Sequence, residues 1–190
     1  MKAVYIIAIS LIFSGCEQQL PSPAKSTNSP PATSQQPTEE IRSGITIPEI
    51  KTREIKGSEL TIASRNAPKG SLLIIYSPLC HICHDTMPKW IELYNQFFKP
   101  RNIPFVAISI LNESLTAESV AELKIPFQVA SIQNIDALIG YKIKRVPVTM
   151  ILAPDGTVKQ LWLGDLDKNA LSTIVTSFCP DCNVEISHSR

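Results

Sequence analysis

A buried strand that leads directly into a Cys-x-x-Cys pair constrains this chain more than any other feature. Residues 72–90 read LLIIYSPLCHICHDTMPKW. The branched, apolar run Leu72–Tyr76 is typical of a strand that is buried on both faces. Ser77-Pro78 end this run, and the CHIC sequence from Cys80 to Cys83 opens a predicted helix. The stretch therefore predicts a strand-to-helix junction with two cysteines at its turn.

Cysteines at such a junction predict a redox site. The unpaired N–H groups and the dipole of a helix favour negative charge at its first turn. They therefore favour the thiolate of Cys80, the form that attacks disulfides. Two intervening residues keep Cys83 close enough to close a disulfide ring. A cationic His81 between them would further favour the thiolate, so we assign His81 a modulating role.

The same residues allow a second interpretation. Residues 80–84 also form CxxCH, the pattern for covalent attachment of c-type haem, with His84 as the iron ligand. Their thiols and imidazoles could alternatively bind copper(I) or zinc. A non-catalytic tethered module that binds haem or copper at Cys80–His84 is thus the alternative function. Because four ligands within five residues do not easily close a tetrahedron, we expect no metal.

The first residues predict export. Residues 1–15 carry Lys2 and an apolar stretch far below the ~20 residues that span a bilayer. The sequence LIFSGC, ending at Cys16, resembles a bacterial lipoprotein signal, which implies that Cys16 is lipidated and becomes the first residue. We therefore expect an extracytoplasmic, periplasm-facing protein attached to a membrane by its lipid. Glu17, in place of the usual retention aspartate, favours the outer membrane over the inner one.

Composition divides the rest of the chain into a tether and one domain. Residues 16–44 are rich in Pro, Ser and Gln, cannot bury enough surface to offset their ordering entropy, and are predicted to be disordered. Residues 45–190 have the size of one domain. Loss of Lys2 leaves 18 − 1 = 17 basic residues against 17 acidic ones. A near-neutral domain without basic clusters predicts no nucleic-acid partner.

Strands and helices alternate through most of the domain, which predicts an α/β fold with a mixed sheet. We expect a helix from Cys80 to about Phe98, kinked at Pro88, and a last helix capped by Asp167. The other predicted elements are strands at 58–62, 103–111 and 127–130, helices at 114–123 (capped by Ser114) and 135–141, and a hairpin of 146–152 and 157–163 around a type I turn.

Three features together resemble the thioredoxin-fold proteins of the membrane-tethered TlpA/ResA-like kind. One is the strand and CxxC followed by Pro88. The second is the segment 141–149, in which Pro147 matches the family's cis-proline opposite the cysteines. The third is the hairpin that contains residues 151–158. The resemblance covers about residues 60–178. It implies a thioredoxin-like fold, with a mixed central sheet flanked by helices, and a protein disulfide oxidoreductase.

The resemblance also implies roles for individual residues. Cys80 and Cys83 would be catalytic and would form the redox-active disulfide, with no other cofactor, while Val146 and Pro147 would bind an extended substrate. Implied partners are protein thiol or disulfide substrates, in cytochrome c or metal-site maturation, and a membrane redox partner. The chain departs from the family pattern where Leu79 replaces a Trp and where Thr86 and Ile74 replace acidic residues that accept a proton near the second thiol.

A second CxxC pair, Cys179 and Cys182, follows the last predicted helix. If that helix runs away from the first pair, about eleven residues at 1.5 Å separate the two pairs by about 17 Å. Direct exchange within one molecule is then not expected. We predict a second disulfide that pins the C-terminus, with a second redox pair or an interaction site as the alternative. Lipidation of Cys16 would account for the fifth cysteine.

Overall fold

The computed structural model describes residues 41–47, 50–55, 59–62, 67–140 and 142–182. The predicted signal peptide, the lipidated Cys16 and most of the predicted tether lie outside these ranges. Within them, no helix is long and apolar enough to cross a membrane. Residues 41–44, assigned to the tether from the sequence, lie against the domain, because the Gly44 N–H donates a hydrogen bond to the Val158 carbonyl at 2.8 Å.

Seven strands and four α-helices make up the described part of the chain. The strands are β1 (Ile50–Glu54), β2 (Glu59–Ile62), β3 (Ser71–Tyr76), β4 (Phe105–Ser109), β5 (Gln128–Ile132), β6 (Val148–Leu152) and β7 (Val158–Leu163). The helices are α1 (His81–Leu93), α2 (Glu113–Glu122), α3 (Asp136–Gly140) and α4 (Lys168–Phe178).

The strands form one mixed sheet in the order β2-β1-β5-β4-β3-β6-β7. Strands β3, β4 and β5 are parallel, whereas β6 is antiparallel to β3 and β7 is antiparallel to β6. The antiparallel register pairs Ile75, near the end of β3, with Val148, the first residue of β6. The CxxC that follows β3 and the Pro147 that precedes β6 are therefore delivered to the same edge of the sheet.

Strand β3 lies at the centre of the sheet, and all six of its residues are buried. Its alternating side chains face two apolar clusters, one on each side. Leu72, Ile74 and Tyr76 pack into the cluster shared with α1 and α4, while Leu73 and Ile75 pack into the cluster shared with β6 and α3. Burial on both faces explains the continuous apolar run in the sequence.

A glycine at the start of β3 is required by its surroundings. Gly70 has a φ of 81°, a left-handed conformation that only glycine adopts without strain. A Cβ at this position would also overlap the carbonyl oxygen of Leu152 in the neighbouring strand. Gly70 thus lets the chain turn tightly into the central strand, which then leads to the cysteines.

Helix α1 buries one face, from Cys83 through Met87 and Trp90 to Leu93, against the sheet. The chain stays helical through Pro88, and the irregular geometry comes later than we predicted. Residues Tyr94–Phe98 form a π turn and Lys99–Arg101 a 3-10 turn. The buried stripe of α4, predicted from its spacing, packs into the same cluster with Leu171, Ile174 and Val175.

The structure differs from the sequence-based assignment at two further places. Helix α2 is capped by Asn112 and not by Ser114, because the Asn112 side-chain oxygen accepts the Leu115 N–H at 3.0 Å. Asn and Ser cap helices about equally well, so sequence alone did not separate two candidates two residues apart. Strand β1 was not predicted, because its sequence IKTRE carries three charged residues; it pairs between β2 and β5.

Candidate active site

The turn between β3 and α1 positions Cys80 at the helix N-terminus. The Cys80 N–H donates to the Ser77 carbonyl at 3.1 Å, and the Leu79 N–H donates to the Ser77 hydroxyl at 3.2 Å. Cys80 is the N-cap residue of α1, and its Sγ accepts the Cys83 N–H at 3.3 Å. The Cys83 N–H group, in the first turn of α1, therefore points at the Cys80 sulfur.

The two thiols of this pair have different environments. Both are free in this structure, with Cys80 half-buried and Cys83 only 1% exposed. Burial raises the pKa of the Cys83 thiol to about 12, and its hydrogen bond with Cys80 acts in the same direction. Cys83 therefore keeps its proton at neutral pH, whereas Cys80 is the thiol that solvent and other molecules can reach.

The fold brings Val146 and Pro147 to this pair. The peptide bond between them is cis, and the Cys80 Sγ lies 3.6 Å from the Val146 carbonyl oxygen. The Pro147 carbonyl accepts the Gly164 N–H at 2.9 Å, which joins this loop to the end of β7. Residues 66 positions apart in the chain thus meet at one edge of the sheet.

The two histidines of the motif point into solvent. The His81 side chain is 89% exposed, and its Nδ1 lies 3.2 Å from Oδ2 of Asp85, one turn further along α1. His84 is also exposed. In the ranges that the structure describes, no three His, Cys, Asp or Glu side chains converge into a set that could hold a metal ion.

The sequence did not predict that Asp165 contacts α1 one turn after Cys83. Thr86, one turn after Cys83, is fully buried, and its hydroxyl lies 2.8 Å from the Ile82 carbonyl and 2.9 Å from Oδ1 of Asp165. The Lys89 ammonium lies 2.7 Å from the other oxygen of Asp165. Asp165 follows β7 and is far from the CxxC in sequence, so no local pattern connected the two.

These contacts shift the titration of Asp165. Its partial burial acts to raise the pKa, but hydrogen bonds from Lys89, Thr86 and the Leu166 N–H outweigh burial and hold the pKa of Asp165 below its ordinary range. The carboxylate is therefore charged at neutral pH. It connects α1 to the turn between β7 and α4.

Three large apolar side chains near Cys80 in sequence or near Pro147 in the sheet are exposed. Leu79, the residue before Cys80, is 77% exposed, and Ile82, the residue before Cys83, is 47% exposed. Leu163 is 59% exposed and pairs across strands with Val148, the residue after Pro147. Exposed apolar groups that cluster at one place on a surface are typical of a site that contacts other proteins.

The second cysteine pair forms a disulfide, Cys179–Cys182, at the end of α4. The Phe178 ring packs on Phe98 with centroids 5.1 Å apart. Phe98 is eighteen residues after Cys80 in a chain that is helical almost throughout, which places the two pairs roughly 25 Å apart. The two pairs therefore lie far apart in the structure, in agreement with the separation that we predicted from sequence.

Comparison with known proteins agrees with the fold and the motif. No family model matches the chain. The thiol-disulfide oxidoreductase ResA of Geobacillus kaustophilus is 25% identical over 138 residues, which are 72% of this chain and 78% of that protein.

Two solved structures share the fold at lower identity. The thioredoxin domain of a thiol-disulfide oxidoreductase from Bacteroides vulgatus aligns with a TM-score of 0.59 and 21% identity, over 73% of this chain and 99% of that one. StoA from Bacillus subtilis aligns with a TM-score of 0.56 and 14% identity, over 69% and 96%. The sheet order, the CxxC that follows β3 and the cis-proline before β6 are those of a thioredoxin-like fold, and the chain is similar in sequence to a thiol–disulfide oxidoreductase of the ResA kind.

Proposed function

We propose that Cys80 and Cys83 carry the thiol–disulfide exchange of this oxidoreductase. The observation that carries the proposal is the asymmetry of the pair: Cys80 is accessible at the helix N-terminus, and Cys83 lies buried behind it. In the reducing direction, the Cys80 thiolate attacks one sulfur of a substrate disulfide, and the other leaves as a thiol. Cys83 then attacks the Cys80 sulfur, so that the second substrate thiol leaves and the Cys80–Cys83 disulfide forms.

Val146 and Pro147 are proposed to hold the substrate chain beside Cys80. The 3.6 Å distance between the Cys80 sulfur and the Val146 carbonyl supports this role, because a chain bound along Val146 would lie within reach of the thiolate. Proline has no N–H, so Pro147 offers no competing donor at this point. The exposed Leu79, Ile82 and Leu163 are proposed to contact apolar parts of a protein substrate.

His81 is proposed to modulate the pair electrostatically. Its exposed imidazole lies in the first turn of α1 beside the cysteines, and it pairs with Asp85 when protonated. A positive charge at this place would favour the Cys80 thiolate. We expect His81→Ala to slow thiolate-dependent steps without loss of the fold.

The cellular setting is proposed to be extracytoplasmic and membrane-attached. The support is the sequence LIFSGC up to Cys16 and the Pro-rich stretch that follows it. We propose a lipid anchor at Cys16 with the domain facing the periplasm, at the outer rather than the inner membrane. Protein thiols or disulfides in cytochrome c or metal-site maturation are the proposed substrates, and a membrane protein would restore the redox state of the pair.

The test is substitution of each cysteine in the mature chain. Cys80→Ala is expected to abolish reduction of insulin disulfides, whereas Cys83→Ala is expected to accumulate mixed disulfides that a gel without reductant resolves. Retention of insulin reduction by Cys80→Ala would reject the assignment. Intact mass and an absorption spectrum of the purified protein test for covalent haem, and elemental analysis for copper tests the metal-binding form of the alternative function.

A redox titration then decides the direction of the reaction. Thiol alkylation with peptide mapping reports the potential of Cys80–Cys83 separately from the other cysteines. A value near that of thioredoxin, about −270 mV, would indicate a reductase, and a value near about −120 mV a disulfide donor.

A further inference from the structure

We propose that Cys179 and Cys182 form a second redox-active pair, which a protein dithiol reduces directly and whose Cys182 thiolate is stabilised by Arg101. This proposal stands independently of the role of Cys80 and Cys83. It concerns the opposite end of the helical segment that begins at Cys80, where Phe98 and Phe178 pack together.

The connectivity of this disulfide makes a structural role inefficient. Its two cysteines are three positions apart at the end of one helix, so the bond ties α4 to no other element. The entropy that a disulfide removes from the unfolded chain grows with the number of residues it encloses, and here it encloses two. The hydrogen bond from the Cys182 N–H to the Cys179 carbonyl, at 3.1 Å, already forms the turn. By this argument the bond adds little to the pinning of the C-terminus that we predicted from sequence.

The two sulfurs have different electrostatic surroundings. Cys179 is the C-cap of α4, where the partial negative charge of the helix end disfavours a thiolate. The Sγ of Cys182 instead lies 3.5 Å from Nη2 of Arg101. A guanidinium at this distance favours the thiolate of Cys182 in the reduced pair.

Other contacts hold Arg101 in place. Its Nη1 donates to the Phe97 carbonyl at 3.2 Å, and its guanidinium carbon lies 4.4 Å from the centre of the Phe97 ring. The ring and the carbonyl of Phe97 thus orient the Arg101 guanidinium toward the Cys182 sulfur. Asp181 is exposed between the two cysteines. Its negative charge disfavours the Cys182 thiolate, whereas the positive charge of Arg101 favours it.

Access and leaving-group chemistry give the reaction a direction. Cys179 and Cys182 are half-buried residues at a turn whose Pro180 and Asp181 are exposed. A thiolate of the partner attacks the Cys179 sulfur, the disulfide bond breaks, and Cys182 leaves as the thiolate beside Arg101. The partner's second thiol then attacks the partner sulfur that is bonded to Cys179. This forms the partner's disulfide and releases Cys179 as a thiol. The partner loses two electrons to become a disulfide, and Cys179–Cys182 becomes a dithiol.

Redox titration of the full mature chain in glutathione buffers at pH 7 and pH 9 tests the proposal, with alkylation and peptide mapping to separate the two pairs. We expect Cys179–Cys182 to be reducible by glutathione, unlike ordinary structural disulfides. We expect Arg101→Gln to lower its equilibrium constant for reduction about threefold to tenfold at pH 9. A tenfold change in this equilibrium constant corresponds to about 30 mV in the reduction potential of the pair.

The pH dependence separates thiolate stabilisation from a packing effect. An ordinary thiol ionises near pH 8.5, so the effect of Arg101→Gln should shrink at pH 7. Arg101→Lys, which keeps the charge, should retain more of the wild-type equilibrium than Arg101→Gln. Asp181→Asn removes the opposing charge from an exposed position and should raise the equilibrium constant at pH 9. The Cys80–Cys83 equilibrium in the same samples is the internal control and should stay unchanged.

Two results would overturn the proposal. One is a Cys179–Cys182 disulfide that stays oxidised in glutathione buffers at both pH values. The other is an equilibrium constant at pH 9 that neither Arg101→Gln nor Asp181→Asn changes. Neither result depends on the activity of Cys80–Cys83, so failure here is distinguishable from failure of the proposed function.

Discussion

The Thr86 hydroxyl lies 2.9 Å from Oδ1 of Asp165 and thereby links the CxxC helix to the turn before α4. The Asp165 carboxylate thus reaches the buried face of α1 from a distant turn. Lys89 closes the arrangement with contacts of 2.8 and 2.7 Å to the two Asp165 oxygens.

This arrangement predicts a pH-dependent contribution to stability. The folded-state pKa of Asp165 is lowered, so its contribution is present above the ordinary Asp pKa of about 3.9 and is lost as pH falls through the folded value. Because the ion pair is half exposed, we expect Asp165→Asn to cost about 1 kcal/mol or less at pH 7. Urea unfolding at pH 7 and pH 3 measures the difference, and an Asn penalty that grows toward pH 3 would contradict it.

The asymmetry of the CxxC predicts selective alkylation. With a pKa of about 12, Cys83 is ionised in about one molecule in ten thousand at pH 8, because the pH is about four units below the pKa. We expect iodoacetamide to add to Cys80 in the reduced protein and to leave Cys83 unmodified until the protein unfolds. Peptide mapping by mass measures this. Equal labelling of both residues at pH 8 would contradict the buried position of Cys83.

The raised pKa of Cys83 also predicts a loss of stability in alkali. A group whose pKa is higher in the folded than in the unfolded state stabilises the fold below the unfolded value, near 8.5, and that contribution declines as pH rises toward about 12. The reduced protein should therefore lose more stability than Cys83→Ser between pH 8.5 and 10.5. Thermal unfolding of both proteins measures the difference, and parallel curves would count against it.

Two glycines with similar backbone angles should respond differently to alanine. Gly70 and Gly44 have φ values of 81° and 90°, so both substitutions carry strain of roughly 1 kcal/mol. A Cβ at Gly70 also meets the Leu152 backbone, whereas nothing lies within 4 Å of one at Gly44. We expect Gly70→Ala to cost at least about 2 kcal/mol more than Gly44→Ala in denaturant unfolding. Equal penalties would contradict the close approach.

The exposed side chains of Leu79, Ile82 and Leu163, here called the apolar rim, predict a defect specific to protein substrates. Leu79→Ser and Leu163→Ser should raise KM for a protein disulfide about tenfold, since each removes exposed apolar surface beside Cys80 and Pro147. Ile139→Ser is the control, because this side chain is equally exposed but belongs to α3. A similar KM change in the control would show that the effect is not specific to the rim.

The local parts of this fold could be predicted from the sequence. Continuous apolar residues indicated β3, spacing indicated the buried stripe of α4, and Asp167 was predicted as the cap that accepts the Ala170 N–H at 2.7 Å. These features depend on residues within one or two turns of each other. Strand β1 was not predicted, because a strand with alternating charged residues is stabilised by its neighbours β2 and β5 and not by its own composition.

The sequence by itself determined the α/β class, the strand that ends in a CxxC and the proline that opens β6, because periodicity, capping and proline chemistry act over short distances. Only the tertiary structure decided which groups meet. The antiparallel register of β3 and β6 sets Val146 beside Cys80. Packing of the turn after β7 brings Asp165 to Thr86, and the end of α4 brings Cys182 to Arg101. Such contacts join residues 66 to 81 positions apart, and their partners are selected by the shape of the whole sheet and its helices, which no local pattern records.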